Sequence, residues 1–330
     1  MKKVIISLII IACVTFVSAL NVLTYAGEIK IALDTPPDIE KSGTYVWSKT
    51  FSDYLIANGM KVKLYPDKAL GTEDEKLDQV CQGLLEISNS NLSNVSQLDP
   101  TINGFLLPYL FDSYEHLNRA ITNTDIMSKI NAGTTKKGVR VLAIVGVGGF
   151  DGLLNSKKTI KTPADMKNLR MRAMDKRQAM WFKAWGASSV IVPWSEIYSA
   201  LQTGVADGYI NAPIVPIMFK HTEVVKYFTY NKAGLPIRAI ICSDDWYKGL
   251  SKKERTIIDE GVMKATKANL VWQAKIEVSG IEALKKAGVE VYMPTFEERE
   301  AFAKLLRPIY GKLSSPVIAK MFLKAASATK

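Results

Sequence analysis

Histidine and cysteine are both scarce in this chain. Its 330 residues include only two histidines, His116 and His221, and three cysteines. Neither histidine has another histidine or a cysteine at the spacing of a metal site. The sequence also lacks a G-x-S-x-G elbow, a P-loop and an H-E-x-x-H motif, and the glycine-rich run 146–151 has aspartate where a dinucleotide fingerprint requires glycine. We therefore expect no metal, no cofactor and no common catalytic site, and we predict that both histidines lie on surface helices or loops.

Long apolar runs are absent except at the amino terminus. Met1-Lys2-Lys3 precedes an apolar run over 4–17, and Thr24-Tyr25-Ala26 supplies small residues at the positions that a signal peptidase reads. This pattern predicts a signal peptide over residues 1–26, cleaved after Ala26, with Ala19 as the second choice. An uncleaved membrane anchor is the alternative, because the run is nearly long enough to span a bilayer.

Removal of the leader would leave two cysteines, Cys81 and Cys242. An exported protein could join them in a disulfide, and their spacing does not decide the question. Two buried free thiols that act as small apolar side chains are the favoured interpretation.

The charge balance is basic but dispersed. Lysine and arginine total 43 against 32 acidic residues, a net charge of +11. No basic stripe with interleaved aromatic residues is present, which argues against nucleic acid as a partner. A scattered positive charge favours the attraction of small organic anions, or serves solubility alone.

Strand and helix patterns alternate along the chain, which predicts an α/β protein with mainly parallel sheets. The length allows two domains, and we expect the chain to cross between them near Gly148–Asn155 and Lys232–Arg238. Domain I is predicted over 27–148 plus about 235–265, and domain II over 149–234. Residues 266–330 are predicted to form helices and a strand that pack across both, after a long helix over 252–287 that spans them. A single helix is expected over 113–132.

The segment 165–213 is the most informative part of the sequence. A short strand over 169–174 carries Arg170 and Arg172, Asp175 is placed to cap the following helix, and Asn211 ends a later strand. An arginine near the end of a parallel strand is well placed to hold an anion, because its planar fork donates two parallel hydrogen bonds to a carboxylate.

The same segment carries a specific motif. It contains PWSEIYSALQTGVADG over 193–208 and Ile210-Asn211-Ala212-Pro213, with a related run over 165–172 and further matches at 70–73, 107–111 and 246–254. This pattern resembles the solute-binding proteins of TRAP transporters, the DctP-like periplasmic receptors for organic acids. The resemblance extends over nearly the whole mature chain.

The resemblance implies a two-domain periplasmic-binding-protein-like fold, with a ligand cleft between the domains and a long helix that spans both. It makes Arg172 the arginine that clamps the ligand carboxylate and Asn211 the pocket asparagine. Arg170 stands where the family commonly has lysine, and we expect it to face solvent. The implied protein is a periplasmic monomer that performs no reaction and passes its ligand to the membrane permease subunits of a TRAP transporter.

The sequence departs from the family at Asp151, where many members have a second arginine that contacts the ligand. A carboxylate in the pocket would disfavour a dicarboxylate and favour a ligand with an amino group. Phe150, Trp194 and Tyr209 are further candidate pocket residues, which would leave room for an aromatic tail. We therefore expect a monocarboxylate ligand that carries an amino or aromatic group. The alternatives are a receptor of an ATP-driven importer or of a chemosensory system, and a secreted enzyme with an unrecognised site.

Overall fold

The computed structural model describes residues 27–330, and the predicted signal peptide lies outside the described residues. Within these described residues, eleven strands form two separate sheets. The strands are β1 Glu28–Ala32, β2 Lys61–Tyr65, β3 Ile87–Asn91, β4 Val139–Gly146, β5 Gly152–Asn155, β6 Arg170–Ala173, β7 Ser188–Ile191, β8 Gly208–Asn211, β9 Tyr227–Thr229, β10 Ile237–Ser243 and β11 Glu290–Tyr292. The first sheet has the order β2-β1-β3-β10-β4, and the second has the order β11-β9-β5-β8-β6-β7.

Helices cover the faces of both sheets. They are α1 Gly43–Ala57, α2 Glu73–Cys81, α3 Leu92–Val95, α4 Tyr114–Asn123, α5 Ile126–Thr134, α6 Lys176–Ala184, α7 Ile197–Gln202, α8 Val215–Met218, α9 Asp244–Gly249, α10 Lys252–Lys286, α11 Phe296–Leu306, α12 Tyr310–Leu313 and α13 Pro316–Ala328. The α/β fold with two sheets confirms the predicted fold class.

The chain passes between the sheets three times. It leaves the first sheet after Gly146 and enters the second at Gly152, and it returns between Thr229 and Ile237. The third passage is the long helix Lys252–Lys286, which leads from β10 in the first sheet to β11 in the second. We propose that the two sheets mark the two domains, with boundaries in the first two of these segments.

The long helix α10 joins the two halves of the protein. Ser251 caps its first turn in a capping box with Glu254, which satisfies two amide groups that a helix start leaves free. Halfway along the helix, the Asn269 amide donates to the carbonyls of Gly43 at 2.8 Å and Gly146 at 3.0 Å. Leu284, near the end of the helix, is buried in the core of the second sheet. The helix is therefore bonded to the first sheet and packed into the second.

Two details differ from the prediction. The helix expected over 113–132 is two helices, because Thr124 adopts an extended conformation and its hydroxyl bonds back to the Ala120 carbonyl. The terminal helix α13 lies in the region 266–330 that was predicted to form helices and a strand, but its bounds were not predicted, although Ser315 as its cap and Pro316 at its first position are typical start signals.

Cys81 and Cys242 are both free thiols, as the favoured interpretation has it, but only Cys242 is buried and Cys81 is half-buried. Burial raises the pKa of both thiols, which makes them poor nucleophiles. Among the residues that the structure describes, no helix is both long enough and apolar enough to cross a membrane.

Helix α13 is held by one aromatic side chain. Phe322 is fully buried, and its ring lies edge-on to that of Phe105 with centroids 4.8 Å apart. Phe322→Ala should lower the free energy of unfolding by about 3–5 kcal/mol, because it removes an aromatic ring from a packed core. The neighbouring Leu323 is 46% exposed, so Leu323→Ala is the matched control and should change the free energy of unfolding by roughly 0.5 kcal/mol. Urea denaturation would measure the free energy of unfolding of both variants. Equal losses in the two variants would show that this ring does not anchor α13.

Candidate ligand-binding site

One edge of the second sheet collects the predicted site residues. The parallel strands β6, β7 and β8 end there, and the antiparallel β5 begins there, since Gly152 pairs with Asn211. Arg172, Asn211 and Asp151 therefore come to the same edge from three different strands. Ligands of open α/β sheets bind at such carboxyl edges.

Arg172 is a buried cation with no acidic partner. Its side chain is only 5% exposed, and its Nε donates to the Val192 carbonyl at 2.9 Å. Within the described part of the chain, no carboxylate oxygen lies within 4.0 Å of its guanidinium. Burial lowers the pKa of Arg172 to about 10, so the group is still charged at neutral pH. Because an unpaired buried charge is unfavourable, this site is suited to an anionic ligand.

Arg170 differs from Arg172 although the two share a strand. It is exposed, and its guanidinium donates to the Gly204 carbonyl on the surface. The prediction that Arg170 faces solvent is confirmed.

Asn211 lies between the strands that carry Arg172 and Asp151. Its Oδ1 accepts the Ala212 N–H at 2.9 Å, which fixes the orientation of the amide. Its Nδ2 has no hydrogen-bond partner among residues 27–330, so this donor is available to a ligand.

Asp151 is an acid with no partner. Its backbone N–H donates to the Gly234 carbonyl at 2.9 Å, but its carboxyl group has no hydrogen bond or ion pair in the described chain. Burial raises the pKa of Asp151 to about 8, and burial together with Asp151 raises the pKa of the Tyr114 hydroxyl. The carboxyl group is thus mainly protonated at neutral pH.

The three aromatic residues that were predicted to line the pocket differ in burial. Trp194 is 36% exposed, and its ring is edge-on to Phe219 at 5.0 Å. Tyr209 is fully buried, with its hydroxyl 2.8 Å from His221 Nδ1. Phe150 is buried in the core of the second sheet, in the same cluster as Tyr209. Trp194 alone of the three presents substantial surface at this edge.

The prediction that both histidines lie on the surface is wrong. His116 is 2% exposed, with Nε2 at 2.8 Å from the Ala326 carbonyl, and His221 is 4% exposed. Burial, and then the charge of Arg172, lower the pKa of His221 to about 4. His221 is therefore a neutral neighbour of the arginine. The hydrogen-bond partner of His221, the Tyr209 hydroxyl, lies on a different element. No local sequence signal indicates this contact.

The charged residues at the facing edge of the first sheet are already paired, and the sequence analysis did not anticipate them. Arg238 Nε lies 3.0 Å from Asp34 Oδ2, and its guanidinium also contacts Glu73. Lys76 is buried and donates to the carbonyls of Leu33 at 3.0 Å and Asp67 at 3.2 Å. Arg238 is thus paired with carboxylates and Lys76 is bonded to backbone carbonyls, whereas Arg172 has no acidic partner and the Asp151 carboxyl group has no partner in the described chain.

The two edges face each other and touch. Ser93, next to the end of β3, donates to Asp175 Oδ2 at 2.7 Å, and Asp175 caps the helix that follows β6. Arg177 bonds to the same carboxylate at 2.6 Å and also contacts Asn103 in the first half of the protein. The site residues thus lie in a cleft that these contacts close on one side.

The described residues contain no group of three histidine, cysteine or acidic side chains that could hold a metal ion. The arrangement offers one unpartnered cation, one unpartnered carboxyl group and one free amide donor. Such a set can bind and orient a ligand.

Two sheets that face each other across a cleft with an unpartnered buried arginine are the features of a solute-binding protein. The chain belongs to the bacterial extracellular solute-binding proteins of family 7, the DctP family, whose model matches residues 36–315. It is a receptor of the TRAP type, and the predicted resemblance is confirmed.

Relatives of known ligand are similar over most of their length. The C4-dicarboxylate-binding periplasmic protein DctP of Rhodobacter capsulatus is 27% identical over 305 residues, 91% of this chain and 90% of that protein. The 2,3-diketo-L-gulonate-binding periplasmic protein YiaO of Escherichia coli K12 is 27% identical over 266 residues, 79% and 80% of the two chains. A TRAP periplasmic solute-binding protein from Polaromonas sp. JS666, bound to D-erythronate, has 26% identity and a TM-score of 0.81, covering 92% and 99%.

The raised pKa of Asp151 predicts a pH dependence of stability. Its folded pKa is about 8 against an ordinary value of 3.8, so the folded state disfavours the ionised form. Stability is therefore lost as the pH rises from about 4 to about 8. Asp151→Asn should remove this loss and raise the melting temperature of the ligand-free protein more at pH 9 than at pH 5.

The control for this experiment is Asp245→Asn at an exposed acid. For this variant, the gain in melting temperature over the wild type should not increase from pH 5 to pH 9. If the difference in melting temperature between the wild type and Asp151→Asn were the same at pH 5 and pH 9, Asp151 would be an ordinary solvated acid.

Proposed function

We propose that this protein is the periplasmic solute-binding component of a TRAP transporter. It captures a small organic acid, acts as a monomer and delivers the ligand to the membrane permease subunits. The observation that carries the proposal is the buried, unpartnered guanidinium of Arg172 at the carboxyl edge of the second sheet. The relatives named above, which bind organic acids, support it.

Capture begins with the ligand carboxylate. The bond from Nε of Arg172 to the Val192 carbonyl leaves the two terminal nitrogens as the free donors, and such a pair suits the two oxygens of a carboxylate. Asn211 Nδ2 adds a neutral donor nearby. The folded protein has already removed most of the guanidinium from water, so a ligand carboxylate meets a charge whose desolvation is largely complete.

Closure of the cleft completes the capture. Contacts such as that between Ser93 and Asp175 exist only when the two edges meet. A ligand that touches both edges favours this closed state by its additional contacts there. The closed form is then the form that the permease subunits receive.

The ligand is a monocarboxylate in this proposal. Arg172 is an unpaired cation, whereas Arg238 is already paired with Asp34 and Glu73. The position of the family's second arginine is occupied by Asp151, which offers a second carboxylate no positive charge and repels it when ionised. An amino group would complement Asp151, and the exposed part of Trp194 leaves room for an apolar or aromatic tail.

Arg172→Ala should abolish measurable binding while the melting temperature of the ligand-free protein changes little. A bidentate charged contact in a closed cleft is worth several kcal/mol, so affinity should fall more than ~100-fold. Titration calorimetry with the compound that most stabilises the wild type would measure the loss. Arg170→Ala, on the same strand but exposed, is the matched control and should bind normally. A loss of only a few-fold in Arg172→Ala would contradict the clamp.

A thermal-shift panel tests the ligand class. It should contain succinate, malate, short 2-keto acids, and aromatic amino and keto acids. We expect stabilisation by monocarboxylates, and a 2-amino acid should bind better than its 2-keto counterpart because Asp151 accepts from the amino group. Asp151→Asn should reduce that preference. Stabilisation by succinate alone, with no response to any monocarboxylate, would overturn the assignment.

A further inference from the structure

We propose that His221 acts through the Tyr209 hydroxyl as a positioning residue of the Arg172 clamp, and that it couples the capture of an anion to the uptake of a proton. Together the three residues form the clamp relay. The relay rests on the proposed function, because it requires that Arg172 holds the ligand carboxylate. It gives a task to Tyr209 and His221, two polar side chains that are almost completely buried.

Arg172 and Tyr209 lie side by side on neighbouring parallel strands. Met171 on β6 pairs with Gly208 on β8, so the next residue of each strand points to the same face of the sheet. The two strands are about 4.8 Å apart. Burial raises the pKa of the Tyr209 hydroxyl, and the charge of Arg172 acts against this rise. Tyr209 therefore flanks the clamp on the side of β8.

The Tyr209 hydroxyl fixes the protonation state of His221. It lies 2.8 Å from His221 Nδ1, and it has no other hydrogen-bond partner among residues 27–330. Because a buried hydroxyl needs an acceptor, we assign the hydroxyl as the donor and Nδ1 as the acceptor. The imidazole is then uncharged, with its hydrogen on Nε2, which agrees with the lowered pKa of His221.

The other groups around His221 supply no counter-ion for a protonated imidazole. The rings of Trp194, Phe219 and Tyr198 surround it, with centroids at 5.6, 6.0 and 6.3 Å. Glu223 accepts the Tyr198 hydroxyl at 2.6 Å, and no carboxylate oxygen of the described chain lies within 4.0 Å of the imidazole nitrogens. The charge that acts on the imidazole is therefore the guanidinium of the clamp.

An anion at the clamp reverses the preference for an uncharged imidazole. Without a ligand, protonation of His221 would place a second positive charge near Arg172, and the Tyr209 hydroxyl would lose its acceptor. A carboxylate held by Arg172 cancels the positive field and offers the hydroxyl hydrogen a new acceptor. The imidazole can then take a proton from solvent at Nδ1 and direct this N–H to the Tyr209 oxygen. Anion binding and protonation favour each other, and the coupling is equal in both directions.

The coupling makes capture stronger in acid. The pKa of His221 is about 4 in the ligand-free protein, and it is higher in the complex if the anion stabilises the imidazolium. Binding then takes up protons above pH 4, and the affinity falls as the pH rises through the pKa of the complex. Asp151 does not contribute at pH 5, because its own pKa is about 8 and it stays protonated.

An NMR titration tests the relay without a ligand. His116 and His221 are the only histidines, so the two imidazole signals can be followed separately. Arg172→Met removes the charge and keeps an unbranched side chain, and it should move the His221 titration to higher pH than in the wild type. The signal of His116, which is bonded to the Ala326 carbonyl, is the internal control and should behave alike in both proteins. An unchanged His221 titration would overturn the relay.

Calorimetry at pH 5 tests the coupling with four carboxylates: pyruvate, phenylpyruvate, phenylalanine and succinate. Heats of binding in two buffers of different ionisation enthalpy give the number of protons taken up. The wild type should take up more protons than Tyr209→Phe and His221→Phe, which should both lose the uptake that is due to the relay. Protonation of the ligand itself cancels in this comparison between proteins.

The matched control is Tyr198→Phe. It removes a hydroxyl from a ring beside the same imidazole, but this hydroxyl is bonded to Glu223 and not to His221. Tyr198→Phe should therefore take up as many protons as the wild type. The melting temperature of each variant verifies folding, and Tyr209→Phe decides the question if Arg172→Met or His221→Phe folds poorly.

The outcomes separate the relay from the proposed function. If the wild type binds a carboxylate without taking up more protons than Tyr209→Phe and His221→Phe, the relay is wrong and Arg172 can still be the clamp. If His221→Phe alone loses the uptake, the Tyr209 hydroxyl is not the link and the relay is likewise wrong. If none of the four carboxylates binds, the proposed ligand class is wrong, and the NMR titration of Arg172→Met still decides the relay.

Discussion

The hydrogen bond from Arg172 Nε to the Val192 carbonyl holds a buried cation in place without neutralising it. This constraint explains much of the site around it. A folded protein tolerates an unpaired buried charge only where the surrounding structure keeps it there. Here the strand β6 and the segment after β7 form that support, and the charge is left for a ligand.

The remaining charges of the cleft are arranged so that they do not compete for the ligand. Arg238 is paired with both Asp34 and Glu73 at the edge of the first sheet, and Asp175 is shared by Ser93 and Arg177. Such pairs contribute shape and rigidity rather than attraction. Specificity then depends on the few groups that have no partner. A buried group without a partner discriminates strongly between a ligand that forms the missing hydrogen bond or ion pair and a ligand that does not.

The scaffold connects these groups over long sequence distances. The helix α10 is bonded to the first sheet through Asn269 and packed into the second through Leu284. The chain crosses three times between the sheets, and the second crossing brings the Gly234 carbonyl to the backbone N–H of Asp151. The helix and these crossings connect the two edges of the cleft.

The sequence by itself determined the α/β class, the long helix and the family, because periodicity, caps and a contiguous motif are local properties. Its assignment of Arg172 as the clamp stays a prediction. The sequence also indicated that Arg170 faces solvent. Tertiary structure alone decided that His116 and His221 are buried, that Arg238 is paired, and that Gly234 lies beside Asp151. Those features depend on contacts between residues far apart in the chain, and burial, pairing and free space arise only when the elements pack.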